Sequence, residues 1–159
     1  MPVAIYPGTF DPITFGHIDI LIRASKIFNK VIAVVASNPH KNPAFTAKER
    51  LDMVKEAVKN SPKIEAVSYD GLIANSIGDF GATVIIRGLR ALSDFDYEFQ
   101  MAFTNRQINE KAETIFLMPS AKYVYLNSTM VKEIAKLGGD VSGFVPAHVM
   151  KKLLKKLRN

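Results

Sequence analysis

Five short runs of apolar, mostly β-favouring residues recur along this chain: Val3 to Tyr6, Val31 to Ala36, Ile64 to Ser68, Thr83 to Ile86 and Thr114 to Met118. Each is separated from the next by a stretch long enough to hold a helix, and strands joined by such crossovers pair in parallel. The pattern predicts an α/β fold built on a doubly wound, parallel five-stranded sheet with helices on both faces. At 159 residues the chain is long enough to bury one substantial core, and no repeat, low-complexity segment or linker divides it. Residues 1–159 therefore read as a single domain.

The intervening helices carry their own start and stop signals. Thr46-Ala47-Lys48-Glu49 is a capping box followed by Leu51, Val54 and Val58 on one face. A short helix is expected from Leu72 to Phe80, ending near Gly81. A longer one runs from Ser93 to about Lys111, with Asp94, Asp96 and Glu98 at its positive end. That longer helix presents Phe95, Tyr97, Phe99, Met101, Ala102 and Phe103 on too many faces to cover against one sheet. Either another subunit or an unusually large core must bury them. A further helix starts after Asn127-Ser128-Thr129 and closes at Gly138-Gly139. The last opens at Pro146, with Val149, Met150, Leu153, Leu154 and Leu157 as its apolar stripe.

Between the first strand and the first helix lies Tyr6-Pro7-Gly8-Thr9-Phe10-Asp11-Pro12-Ile13-Thr14-Phe15-Gly16-His17. Pro7-Gly8 is expected to break the strand, and Ile18, Leu21, Ile22, Ser25 and Phe28 follow at helical spacing, so His17 falls in the first helical turn. Backbone N–H groups there have no intrahelical partner and lie at the positive end of the helix dipole, which suits a phosphate.

Ligands of open parallel sheets bind beyond the carboxyl ends of the strands, where the strand order reverses. That rule gathers Thr9, His17, Lys41, Arg87 and Arg90 on one rim, a set of cations and a helix terminus suited to several phosphates.

Composition excludes other chemistries. The chain has no cysteine, and its three histidines, His17, His40 and His148, lack metal-ligand spacing, so thiol nucleophiles and a structural zinc drop out. No apolar run reaches membrane-spanning length and the start lacks a basic leader, so a cytoplasmic protein without membrane contact is expected. The net charge of +6 raises a nucleic-acid partner as an alternative. Much of the excess, however, sits in Lys151, Lys152, Lys155, Lys156 and Arg158, the solvated face of the last helix. P-loop, G-x-G-x-x-G and G-x-S-x-G motifs are absent. With no activated nucleophile in sight, the attacking group should arrive already ionised, as a phosphate monoester does.

Thr14-x-Gly16-His17 resembles the (His or Thr)-x-Gly-His signature of the nucleotidyltransferase superfamily, whose fold is Rossmann-like. The resemblance narrows when the opening motif is joined by Pro39 to Lys41, Ile85-Ile-Arg-Gly-Leu-Arg90, Asp94-x-x-Tyr-Glu98, Phe116-Leu-Met-Pro119 and Gly139-Asp-Val141. In that order, across nearly the whole chain, they resemble the bacterial phosphopantetheine adenylyltransferases. The resemblance implies reversible adenylyl transfer from ATP to 4′-phosphopantetheine, giving dephospho-CoA and pyrophosphate, with Mg2+ required. It also implies a homohexamer and CoA as a possible inhibitor. Thr9, Lys41, Ile73, Arg87 and Asn105 would contact phosphopantetheine. Thr9, Phe10, His17, Gly88, Leu89, Arg90, Glu98, Tyr123, Val124, Tyr125, Leu126, Asn127, Ser128 and Thr129 would surround ATP. His17, Lys41 and Arg90 would be catalytic, and no metal ligand is assigned. One position departs from the family pattern: Asn127 stands where a serine is usual, so it can cap a helix but brings no hydroxyl. Transfer to another small phosphate acceptor, such as nicotinate mononucleotide or glycerol 3-phosphate, is the alternative reaction.

Overall fold

The computed structural model describes residues 2–37 and 42–158. Strands β1 (Val3–Gly8), β2 (Lys30–Ala36), β3 (Ile64–Tyr69), β4 (Val84–Gly88) and β5 (Glu113–Leu117) form one sheet in the order β3-β2-β1-β4-β5. Every neighbouring pair is parallel, as the strand-helix alternation predicts. Helices α1 (Phe15–Ile27), α2 (Ala47–Val58), α3 (Ile73–Asp79) and α4 (Leu92–Ile108) make the crossovers. A 3-10 turn (Ala121–Tyr123), α5 (Ser128–Lys136) and α6 (Ala147–Leu157) follow β5.

The two-residue period of the strands divides the core in two. Ala4, Tyr6, Val31, Ala33, Val35, Val84 and Ile86 point to one face and pack with the apolar stripes of α1, α2, α5 and α6. Ile5, Ile32, Val34 and Ile85 point to the other and pack with Ile77 of α3, Ala82 and Ala112. Val149 and Leu153 seat α6 in the first of these cores while Lys156 reaches out to Glu49 at 3.1 Å, so the basic tail is the solvated side of a docked helix.

Pro7 and Gly8 do not end β1. The strand continues through both, paired with Val34 and Val35 of β2. Proline is tolerated in this central strand because pairing with β4 has already stopped at Ile5 and Ile85, and the Pro7 carbonyl accepts instead from the Arg87 side chain. Likewise β4 runs on through Arg87 and Gly88, which the sequence reading placed in the following loop; they pair with Phe116 and Leu117 of β5. Gly8 matters for a packing reason, since a Cβ there would lie 3.0 Å from the Phe10 ring.

The α4 helix starts at Leu92, one residue early, and stops at Ile108 rather than Lys111, where Asn109 folds back to the Asn105 carbonyl. Of its residues only Glu98 is buried, while Phe95, Tyr97, Phe99 and Phe103 stand in solvent. The chain's own core does not wrap this helix.

Candidate active site

A cleft of 630 Å³ opens above the carboxyl ends of β1 and β4, the point where the strand order reverses. Its walls are the loop after β1, the first turn of α1, the end of β4 with the start of α4, and the first turn of α5. Two helix N-termini, those of α1 and α5, therefore face one space, each with unsatisfied backbone donors.

His17 is built into the start of α1 by a capping box in which it takes the place usually held by Glu or Gln. The Thr14 hydroxyl accepts the His17 N–H at 3.4 Å, and the Thr14 N–H donates to His17 Nδ1 at 3.1 Å. With Nδ1 held as an acceptor, the proton of the neutral ring resides on Nε2. Burial, then the positive charges of Arg90 and Arg87, push the His17 pKa down to about 4, so the ring is neutral near pH 7. Phe10, at a positive φ of 49°, packs edge-on against both His17 and Tyr6, with ring centroids 5.1 and 5.6 Å apart.

The cations of the cleft are held by specific partners. Arg87 Nε and Nη2 donate to the two Glu98 carboxylate oxygens at 2.7 and 2.6 Å, and Nη1 donates to the Pro7 carbonyl at 2.8 Å. Burial works against the guanidinium charge, but the Glu98 hydrogen bonds and charge prevail and raise the Arg87 pKa above its ordinary value. Arg90 Nη1 donates to the Leu126 carbonyl at 2.9 Å and its Nε lies 3.4 Å from Asp94. These contacts tie α4 and the residues before α5 to the end of β4.

Of the residues the sequence singles out, Thr9, Phe10, His17, Arg87, Gly88, Arg90, Glu98, Tyr123, Leu126, Asn127, Ser128 and Thr129 line the cleft. Leu89, Val124 and Tyr125 do not, and neither do Ile73, which packs on the opposite face of the sheet, nor Asn105, in the last turn of α4. Lys41 lies outside the described residues. Asn127 serves as the N-cap of α5, accepting the Met130 N–H at 2.8 Å, while the Ser128 hydroxyl donates to the Pro12 carbonyl at 2.8 Å.

Three residues that shape the cleft went unmarked in the sequence reading. Asp11, 5% exposed, accepts the backbone N–H groups of Ala44 and Phe45 at 2.9 and 3.0 Å and an ion pair from Lys132 at 2.6 Å. Arg50, 2% exposed, donates through Nη1 to the Thr9 and Ala36 carbonyls at 2.6 and 3.0 Å and through Nε to Phe45 at 3.2 Å. It joins the Thr9 loop to the end of β2. A signal for Arg50 exists, because it falls on the apolar face of α2 three and four residues before Met53 and Val54. Lys132 likewise stands one turn past Ser128, on the face that α5 turns to the cleft.

The chain is similar over nearly its whole length to known proteins. The cytidylyltransferase-like family profile matches residues 5–134. The phosphopantetheine adenylyltransferase of Caldanaerobacter subterraneus subsp. tengcongensis is 50% identical over 158 residues, covering 99% of each chain. That of Methylococcus capsulatus is 53% identical over 153 residues, covering 96% of this chain and 94% of its own. In fold, a Vibrio parahaemolyticus crystal structure assigned as a nicotinate-nucleotide adenylyltransferase superposes with a TM-score of 0.70 at 16% identity, covering 96% of this chain and 91% of that one.

Proposed function

The chain belongs to the cytidylyltransferase-like family and, within it, to the phosphopantetheine adenylyltransferases, and from that membership we propose how its residues carry the reaction. The enzyme transfers the adenylyl group of ATP to 4′-phosphopantetheine, a step of coenzyme A biosynthesis, forming dephospho-CoA and releasing pyrophosphate. The acceptor phosphate, largely dianionic because its second pKa is about 6, attacks the α-phosphorus in line and needs no general base. What the protein must supply is alignment of two mutually repelling anions and donors for the charge that develops.

The single observation that carries this reading is His17, held neutral with Nδ1 accepting from Thr14 and Nε2–H left to donate. Such a ring can give a hydrogen bond to a non-bridging α-phosphate oxygen without adding or removing a proton. Arg90 and the α5 N-terminus, with Ser128 and Thr129, take the remaining phosphates of ATP. Thr9, Lys41 and Arg87 receive the acceptor phosphate, and the pantetheine arm runs out of the cleft toward Ile73 and Asn105, which lie beyond its walls.

Magnesium enters in this scheme as MgATP. The cleft carboxylates Asp11, Glu98 and Asp94 each face a cation already, and no cluster of three or more metal-ligating side chains occurs among the described residues. With those carboxylates already paired, Mg2+ would arrive with the nucleotide rather than on a preformed protein cage, and would supply charge neutralisation to its phosphates.

The exposed aromatic side of α4 supports assembly of copies into a homohexamer, and CoA, which shares the product's chemistry, is an expected inhibitor. No described helix is long and apolar enough to cross a membrane, which is consistent with a cytoplasmic location.

Pyrophosphate release from ATP, measured with phosphopantetheine, nicotinate mononucleotide and glycerol 3-phosphate in turn, tests the acceptor. Turnover with phosphopantetheine alone is expected; none with it would overturn the assignment.

A further inference from the structure

Building on the adenylyl-transfer reading, we propose that Tyr6 is a further substrate-contacting residue, its hydroxyl donating a hydrogen bond to a phosphate oxygen bound on the floor of the cleft. Tyr6 lies on β1 next to Pro7, on the sheet face that carries α1, and its ring packs edge-on against Phe10. It is only 6% exposed, yet it lines the cleft.

No described residue makes a hydrogen bond with the Tyr6 hydroxyl. The oxygen is not sealed in the core, since among the described residues Thr114 Oγ1 is the fully buried side-chain polar atom left without a partner; the Tyr6 hydroxyl instead opens on the cleft with its hydrogen bond still to make. The hydroxyl sits beside the end of β4, since a Cβ built on Gly88 would stand in ordinary contact with it at 3.6 Å, and both residues line the open cleft.

The surrounding charges select the ligand. The Arg87 and Arg90 guanidinium groups act on the phenol, opposed only by Glu98, so the site favours an anion. Burial nonetheless dominates and pushes the Tyr6 pKa up to about 12, which keeps the proton on the oxygen and makes the group a neutral donor. Phe10 packs between Tyr6 and His17, so the phenol and the imidazole flank one ring in the same cleft. The phosphate oxygen belongs either to ATP or to the acceptor, and the experiment distinguishes them.

Tyr6→Phe removes one oxygen and keeps the ring that packs on Phe10. Binding of MgATP and of phosphopantetheine is measured separately by calorimetry for wild type and variant, alongside pyrophosphate release and the melting temperature. The expected result is an unchanged or higher melting temperature with affinity for one ligand, or kcat, reduced about tenfold or more. Loss of MgATP affinity assigns the contact to ATP, loss of phosphopantetheine affinity to the acceptor, and loss confined to kcat to the transition state. The ratio of wild-type to variant activity should stay constant between about pH 6 and 9, because the phenol does not titrate there. Affinities and kcat both matching wild type would overturn the proposal, as would a loss that merely follows a lowered melting temperature. Wild-type protein that binds MgATP but gives no turnover with phosphopantetheine would overturn the acceptor assignment instead, and the MgATP titration would still decide the role of Tyr6.

Discussion

A histidine that stays neutral in a phosphate site has consequences for both rate and stability. His17→Ala should lower kcat far more than it raises KM, since the Nε2–H acts on charge that exists mainly in the transition state. Steady-state kinetics at saturating MgATP checks this. The pKa of His17 is about 4 in the folded protein against an ordinary 6.5, so between those values the unfolded chain binds a proton that the folded chain refuses. Stability therefore falls as pH drops through that window and levels off below it. Urea titrations at several pH values should show a shallower decline in His17→Ala than in wild type. Glu98→Gln removes the charge from the pair with Arg87 and should cost about 1.5–3 kcal/mol, read from the same titrations. At this scale the sequence was readable where the chemistry is local. Thr14 and His17 meet three positions apart, but Asp11 reaches Ala44 across 33 positions, Arg50 reaches Thr9 across 41, and Lys132 reaches Asp11 across 121. No short window of sequence holds both ends of those bonds.

Among the elements, α5 gives the sharpest test, because its N-cap rests on one side-chain bond from a single residue, Asn127. Asn127→Ser should leave stability within a few tenths of a kcal/mol, whereas Asn127→Ala should cost about 1 kcal/mol by losing the bond to the Met130 N–H. Chemical denaturation of the two variants in parallel settles the point, and a tolerated alanine would show that the cap contributes little. The strands and most helix starts follow from periodicity and capping residues alone, as Thr46 and Asn127 illustrate. The ends of β1 and β4 do not. Proline and glycine signal a break only where a strand needs its backbone paired on both sides, and whether β1 does depends on how far β4 runs beside it.

The whole molecule leaves one large surface unaccounted for within a single chain. Phe95, Tyr97, Phe99 and Phe103 stand 41–59% exposed along α4, more apolar area than a surface helix ordinarily shows to water. Assembly through this face predicts that the wild-type protein sediments as an oligomer and that Phe99→Glu with Phe103→Glu shifts it to smaller species. A monomeric wild type would contradict the assembly. Fold class could be foreseen because strand-helix alternation leaves few topologies, and the cleft could be placed because a parallel sheet has only one carboxyl edge. The occupant of the α4 face could not, since its aromatic residues fit a large core as well as a partner until the packing is seen.

Where β1 and β4 part beyond Ile5 and Ile85, the Pro7 carbonyl is met by a side chain in place of a neighbouring strand. A chain optimised for durability alone would close that seam and zip the two strands together to their ends. Here the seam and the catalytic cleft are the same opening, so a substitution that zipped it would be expected to raise the melting temperature while abolishing turnover. Resistance to heat is thus a poor guide for choosing improved variants of this enzyme at these positions.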